Sequence, residues 1–238
     1  GWLGGIGALV DCDGYRMAEF TLNMLHDYWL WGAAGFCIGC SLAVRNLVKS
    51  GMDFRVAVIV VTVAIYSGLL GTRLLWMLIF NPEVLFFRPL LMIAFWQGTG
   101  TWLGGPVGGM MGSFIILKLL KQRYWENIGS IAPGLALSHA IARIGCLVTG
   151  CCYGKVTQVC WAIYSREADA IVHPTQIYSM ICELICFVIL QFLWRKREMR
   201  KYLFPMYCLM LSFHRFFTEF FRGDCGGPTV IEGLRVYQ

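Results

Sequence analysis

Charged residues are scarce in this chain. Lys, Arg, Asp and Glu together make up 14% of the 238 residues, whereas 58% are hydrophobic and the mean hydropathy is +0.62. So few charges are unusual in a water-soluble globular protein and typical of a protein with several membrane-spanning helices. The net charge of +6 is not gathered on an arginine-rich face, which argues against a nucleic-acid partner.

Paired Cys-x-x-Cys knuckles are also missing, although the chain has eleven cysteines. The single Cys37-Ile-Gly-Cys40 has no histidine after it and does not support haem attachment, so we predict no cofactor and no metal. Five of the eleven lie in apolar runs and are expected to be packing residues, namely Cys37, Cys40, Cys182, Cys186 and Cys208. A metal site or a disulfide stays open as an alternative for Cys146, Cys151, Cys152 and Cys160, with His139 or His173 nearby. An outer-face disulfide would involve Cys160 or Cys225, with Cys12 as another candidate partner.

Six apolar segments each reach the roughly 20 residues that cross a bilayer. They are residues 28–48, 56–80, 89–120, 128–150, 174–194 and 202–222. The third is too long for one straight span, and its glycine-rich run at 98–109 predicts a broken helix. We therefore expect an all-α polytopic membrane bundle at 28–222, an outer-face N-terminal segment at 1–27, an outer-face tail at 223–238, and a seventh helix beyond the tail.

The basic residues predict an orientation for this bundle. More than half of the twenty Lys and Arg residues fall in three loops, at 45–55, 118–123 and 195–201. The positive-inside rule places those loops in the cytoplasm. The N-terminus, the loops at 81–88 and 151–173, and the tail after Arg222 then lie on the outer side.

Several arginines outside these loops lie near the outer ends of predicted spans. Arg73 and Arg143 have no acidic neighbour in sequence, whereas Arg215 and Arg222 flank Glu219. A cation at membrane depth costs about 2.5–3.5 kcal/mol on insertion scales, so it usually faces a polar cavity or a bound anion. Their grouping at headgroup depth predicts a phosphate ligand. For Arg215 and Glu219 an intrahelical ion pair is the alternative.

Five segments follow one another in a distinctive order. They are Gly68-Leu-Leu-Gly-Thr-Arg73, Gln97-Gly98 through Gly104-Gly105, Ala142-Arg-Ile-Gly-Cys-Leu-Val-Thr-Gly-Cys-Cys-Tyr-Gly154, His173-Pro-Thr-Gln-Ile-Tyr178 and Arg215-Phe-Phe-Thr-Glu-Phe-Phe-Arg-Gly-Asp224. Over about residues 24–238 the chain thereby resembles the bacterial prolipoprotein diacylglyceryl transferase family, in the branch that reads Gly-Cys-Cys-Tyr-Gly. Tyr28 lies where the first helix of that family carries a functional tyrosine.

The resemblance implies a reaction and its partners. Members of the family transfer the diacylglyceryl group of phosphatidylglycerol to the lipobox cysteine of a secreted lipoprotein precursor, which forms a thioether and releases glycerol phosphate. We therefore expect phosphatidylglycerol or another anionic phospholipid as ligand and the precursor as acceptor. The expected location is the bacterial inner membrane, with a multi-pass topology and a pocket that opens toward the periplasmic side.

Such a reaction needs a thiolate and a stabilised leaving phosphate. The matching positions suggest catalytic roles for Arg143 and Tyr28, with His173 or, one helical turn before Arg143, His139 as proton acceptor. Either histidine can instead be structural. The predicted lipid- or phosphate-binding residues are Arg73, Gly98, Gly104, Gly105, Arg143, Tyr153, Gly154, Arg215, Glu219 and Arg222.

Five positions depart from the family's pattern. Leu103 replaces a proposed catalytic histidine, Cys146 and Thr149 replace asparagines, and Cys151 and Ser179 replace glutamates. These changes remove carboxylate and amide groups from the pocket. They motivate a second hypothesis, a catalytically degenerate, lipid-binding subunit of a membrane complex. A third, weaker hypothesis is a redox or metal membrane protein that uses its thiols.

Overall fold

The computed structural model describes the backbone of residues 14–80, 82–87, 103–223, 229–231 and 234–235, and side chains within residues 30–223. This part of the chain is mostly helical. Its helices are α1 (Gly14–Lys49), α2 (Phe54–Phe80), α3 (Pro82–Phe87), α4 (Gly104–Leu119), α5 (Tyr124–Thr149), α6 (Thr175–Trp194) and α7 (Arg200–Phe221), with a 3-10 turn at Arg197–Met199. Two antiparallel hairpins pair β1 (Ile163–Ser165) with β2 (Ala170–Val172), and β3 (Thr229–Ile231) with β4 (Leu234–Arg235).

Four helical segments in the described residues are long and apolar enough to cross a membrane. They are Leu30–Lys49, Phe54–Phe80, Tyr124–Thr149 and Thr175–Trp194. Large apolar side chains point outward from them; Val188 and Phe192 are 62% and 60% exposed. An outward apolar surface of this kind is suited to lipid rather than water. The prediction of a helical membrane protein is confirmed at this level.

The two remaining predicted spans are described less completely. Helix α4 begins at Gly104, inside the predicted third span. The first part of that span, and with it the expected break, lies at residues 88–102, outside the described residues. Helix α7 covers most of the predicted sixth span but is not among the four segments above. Six spans and a seventh helix therefore stay predictions.

The fold separates into two compact units. The described part of the first, here called the site unit, comprises residues 14–38, 137–184 and 214–223. The second, here called the scaffold unit, is described within residues 39–136 and 185–213 and in the strands at 229–231 and 234–235. The family-like segment at residues 142–154 thus lies wholly in the site unit.

A buried polar network joins three helices of the scaffold unit. The side-chain amide of Asn46 donates to Gln191 Oε1 at 3.1 Å, and the Trp194 indole N–H donates to Ser130 Oγ at 3.1 Å. Asn46 and Ser130 are fully buried. Because an unpaired polar group costs about 1–3 kcal/mol in such a place, these bonds favour one packing register of α1, α5 and α6.

Helices α2 and α4 approach each other through glycine. A Cβ added to Gly71 would lie 2.8 Å from the Cα of Gly108, and a Cβ added to Gly104 would lie 2.6 Å from the Cα of Thr72. Neither distance accommodates a side chain. Small residues at such crossings let helix backbones pack closely in membranes. Helix packing therefore accounts for much of the glycine content of this part of the chain.

Candidate functional site

A loop after α5 is built into the backbone of two other helices. In this signature loop (residues 150–156), the Gly154 amide donates to the His173 carbonyl at 3.0 Å, just before α6. The Lys155 amide donates to the Phe221 carbonyl at 2.7 Å, at the end of α7. Gly154 and Arg222 also form an antiparallel bridge. The loop therefore joins the ends of α5, α6 and α7.

The crowding at Gly154 explains why glycine occupies this position. Its backbone is buried, and an added Cβ would lie 2.5 Å from the Cβ of His173 and 2.9 Å from the carbonyl oxygen of Phe221. No side chain fits there without a backbone shift. This contact is structural, and the predicted approach of Gly154 to a lipid headgroup stays a prediction.

Three of the predicted phosphate-binding arginines come together beside the signature loop. Arg143 projects from α5, and Arg215 lies in α7 within electrostatic range of Arg143, Arg222 and Glu219. Arg143 and Arg222 also both act on the Cys152 thiol. All three arginines are partly buried. Helix α5 thus contributes one cation, and α7 together with the residue that follows it contributes two, with Glu219 as an acidic neighbour.

The other predicted lipid-binding residues are placed differently. Arg73, Gly104 and Gly105 belong to the scaffold unit. Arg73 is only 3% exposed, and its guanidinium lies 5.6 Å from the ring centroid of Trp76. Gly98 and the side chain of Tyr28 lie outside the described residues, and Tyr153 is a partly buried member of the signature loop. Their roles in lipid binding stay predictions.

His173, the predicted proton acceptor, is held by aromatic neighbours. Its Nδ1 lies 3.2 Å from the hydroxyl of Tyr178, which also accepts a hydrogen bond from the Trp161 indole at 2.7 Å. The ring centroids of His173 and Phe221 are 5.2 Å apart. His173 is partly exposed.

Two further histidines lie on separate helices beside a buried carboxylate that was not predicted from the sequence. Glu183 of α6 is 2% exposed, and its Oε1 lies 3.9 Å from Nδ1 of both His139 and His214. Of these three residues only His139 was predicted as functional. Two signals in the sequence could have identified the others, namely an acidic residue inside an apolar span and a histidine directly before Arg215.

Three thiols converge at the start of the signature loop. The Sγ atoms of Cys146, Cys151 and Cys152 all lie within 4.8 Å of one another. Hydrogen bonds from the other two thiols, together with the charges of Arg222 and Arg143, lower the pKa of Cys152 well below that of an ordinary thiol. Hydrogen bonding with Cys146 and Cys152, aided by burial, raises the pKa of Cys151.

No two cysteines in the described part of the chain form a disulfide. The nine cysteines described there are all thiols, and that of Cys160 is exposed. Cys12 and Cys225 lie outside the described residues.

Space for a small ligand adjoins the signature loop. A cavity of about 280 Å³ is lined by residues that include Thr149, Gly150 and Gln176. Gln176 is 2% exposed and uses its Nε2 to donate to the Cys151 carbonyl at 2.7 Å. Its Oε1 has no hydrogen-bond partner in the described residues.

Taken together, the fold and site define a helical membrane protein with an arginine-rich site held by a loop that links three helices. The model of the prolipoprotein diacylglyceryl transferase family matches residues 18–238, and the chain belongs to this family. The family predicted from the ordered motifs is thereby confirmed.

Individual relatives carry the same enzymatic name. The chain is 28% identical over 221 residues to the phosphatidylglycerol–prolipoprotein diacylglyceryl transferase of Clostridium tetani, covering 85% of this chain and 83% of the relative. It is 31% identical over 168 residues to transferase 2 of Clostridium perfringens (68% and 65%), and 27% identical over 220 residues to the enzyme of Oleidesulfovibrio alaskensis (90% and 82%). These names support the transferase prediction, and none of the three describes a non-catalytic subunit.

Proposed function

We propose that this chain transfers the diacylglyceryl group of phosphatidylglycerol to the cysteine of a prolipoprotein. The observation that carries the proposal is the convergence of Arg143, Arg215 and Arg222 beside the signature loop. Three cations with one carboxylate nearby leave an excess of positive charge for an anionic headgroup. The names of the relatives supply the chemistry of donor and acceptor.

In this reaction the acceptor sulfur attacks the glyceryl carbon that is esterified to phosphate. A C–S bond forms, the C–O bond to phosphate breaks, and glycerol phosphate leaves with the electron pair. Arginine forks can hold two phosphate oxygens at once, and charge-assisted hydrogen bonds of this kind contribute about 1.5–3 kcal/mol each. We assign Arg143 and Arg215 to this stabilisation, with Arg222 as the cation nearest the loop backbone.

The proton of the acceptor thiol needs a base, because the thiolate is the nucleophile. We assign this role to His173, whose partly exposed ring is oriented by Tyr178. His139 is the alternative. Its side chain is 39% exposed, and Oε1 of Glu183 lies 3.9 Å from its Nδ1.

The finer elements of the proposal come from the sequence. The proposed topology has six spans and a seventh helix, with the basic loops in the cytoplasm. The pocket opens to the periplasmic side of the inner membrane. Further lipid contacts are assigned to residues matched through the family. They are Tyr28, Arg73, Gly98, Gly104, Gly105, Tyr153, Gly154 and Glu219.

The test is a defined reaction with purified protein. The protein is reconstituted with phosphatidylglycerol and a synthetic lipobox peptide, and mass spectrometry follows the peptide. We expect the peptide to gain one diacylglyceryl group for each glycerol phosphate released. A peptide that stays unmodified, under conditions where a relative's enzyme modifies it, contradicts the proposal. Rescue of a transferase-depleted strain provides the same test in cells.

A further inference from the structure

The strongest feature that the proposed reaction does not use is the group of Cys146, Cys151 and Cys152, here called the thiol triad. One thiol comes from the last turns of α5 and two from the signature loop. Their sulfur atoms lie within 4.8 Å of one another, and Cys146 is only 8% exposed. Three sulfurs at this spacing need only small side-chain movements to share one ion with metal–sulfur bonds of about 2.3 Å.

The backbone that carries the triad is held by buried side chains. The Thr175 hydroxyl donates to the Cys152 carbonyl at 2.6 Å, and the Gln176 amide donates to the Cys151 carbonyl at 2.7 Å. Thr175 and Gln176 are 3% and 2% exposed. Cys152 adopts a left-handed conformation, with φ at +58°, which is uncommon for a residue other than glycine. The thiols are thus placed by a fixed loop rather than by a chance meeting of flexible side chains.

Charge and ligand type select the kind of ion. The group offers three sulfurs and no imidazole or carboxylate from the described residues. Thiolate ligands select soft ions such as Cu(I) or Zn(II), and structural zinc normally takes four protein ligands. Three thiolates around Cu(I) carry two negative charges, which the nearby guanidinium groups of Arg143 and Arg222 balance.

We propose that the thiol triad binds a single thiophilic metal ion through its three sulfur atoms, with Cu(I) as the ion that best fits three ligands and two neighbouring arginines. This site does not depend on transferase activity. Because the same arginines are assigned to the lipid phosphate, metal binding and phosphate binding would compete for their charge.

Metal titration of the reduced, full-length protein in detergent tests the proposal. Cu(I) is added without oxygen in the presence of a chromophoric chelator, and Zn(II) is titrated in parallel. We expect one ion per chain at the triad, and at least a tenfold loss of its affinity in Cys146→Ser, Cys151→Ser and Cys152→Ser. The control Cys160→Ser removes a thiol of the same unit outside the triad and should leave the affinity unchanged.

A second measurement uses the unmodified chain, so it does not depend on the folding of any variant. Bound metal should protect the three triad cysteines from alkylation, as read by peptide mass spectrometry, while Cys160 is alkylated as before. X-ray absorption should give three sulfur ligands for the bound ion. Alkylation of the triad at the same rate with and without metal overturns the proposal. The proposal is also overturned if two triad cysteines form a disulfide and the protein still binds no metal after that disulfide is reduced.

Discussion

The backbone amide of Gly154 donates a hydrogen bond to the carbonyl oxygen of His173 at 3.0 Å. This bond places the signature loop against a residue two positions before the start of α6. On its other side the loop meets the last residue of α7, through the bond from Lys155 to Phe221 at 2.7 Å. The loop beside the arginines is therefore held at Gly154 by a backbone contact that leaves no room for a Cβ.

The first prediction concerns that glycine. Gly154→Ala should lower the free energy of unfolding by about 1–3 kcal/mol, because the new Cβ overlaps His173 and the loop has to shift. It should also reduce turnover, since the loop links the helix ends beside which the arginines lie. Gly32→Ala is the matched control, because no atom lies within 4 Å of a Cβ added there. Thermal unfolding in detergent measures the stability of both variants. Equal stability of Gly154→Ala and Gly32→Ala contradicts the prediction.

The second prediction concerns phosphate binding. Arg143→Ala should abolish retention or turnover of phosphatidylglycerol while membrane insertion persists, because it removes a charge-assisted contact of about 1.5–3 kcal/mol. Arg143→Lys should restore binding only in part, since a point charge cannot reproduce a planar fork. Arg55→Ala, at an exposed position of the scaffold unit, is the control. Lipid that co-purifies with each variant is quantified by mass spectrometry, and unchanged lipid in Arg143→Ala would rule out the assignment.

The third prediction separates the two candidate bases. His173→Gln should lower turnover by about 100-fold or more while bound lipid stays in place, because general-base catalysis typically contributes that much. His139→Gln should have a smaller effect. If His139→Gln and Glu183→Gln cause the larger loss, the base is the imidazole beside Glu183.

The fourth prediction concerns orientation. Cys160 is exposed in the loop between α5 and α6, which we expect outside, so an impermeant maleimide should label it in intact spheroplasts. A cysteine introduced at Glu198, in the basic loop before α7, should be labelled only after the membrane is opened. Cys160→Ser supplies the background for the first measurement. Labelling of the Glu198 variant in intact spheroplasts would reverse the topology.

The helical architecture follows from local sequence, which is why it could be predicted. Apolar segments of about 20 residues specify spans through their own composition, and residues 174–194 were predicted within one residue of α6. The close α2–α4 contact was not predicted. It depends on Gly71 meeting Gly108 from a distant part of the chain, and neither local composition nor a motif contains that information.

The site was predicted unevenly for a similar reason. Arg143, Arg215 and Arg222 could be grouped because each is a cation toward the end of an apolar segment, and the basic loops predict that these ends share one side of the membrane. The contacts of Glu183 with His139 and His214 join three separate helices, so no single stretch of sequence contains the signal. The three cysteines of the thiol triad are evident in the sequence. Their convergence is not, because it involves a left-handed backbone conformation at Cys152 that the sequence does not predict.

The bridge between Gly154 and Arg222 also has a mechanical consequence. The Gly223 amide donates to the Tyr153 carbonyl at 3.1 Å, so the chain that leaves α7 is hydrogen-bonded antiparallel to the signature loop. Tension applied just after Gly223 would load these bonds in shear before it reached the helix. A rigid body fused close to that point would therefore act on the loop that carries the thiols and arginines, whereas a long flexible linker would leave it relaxed.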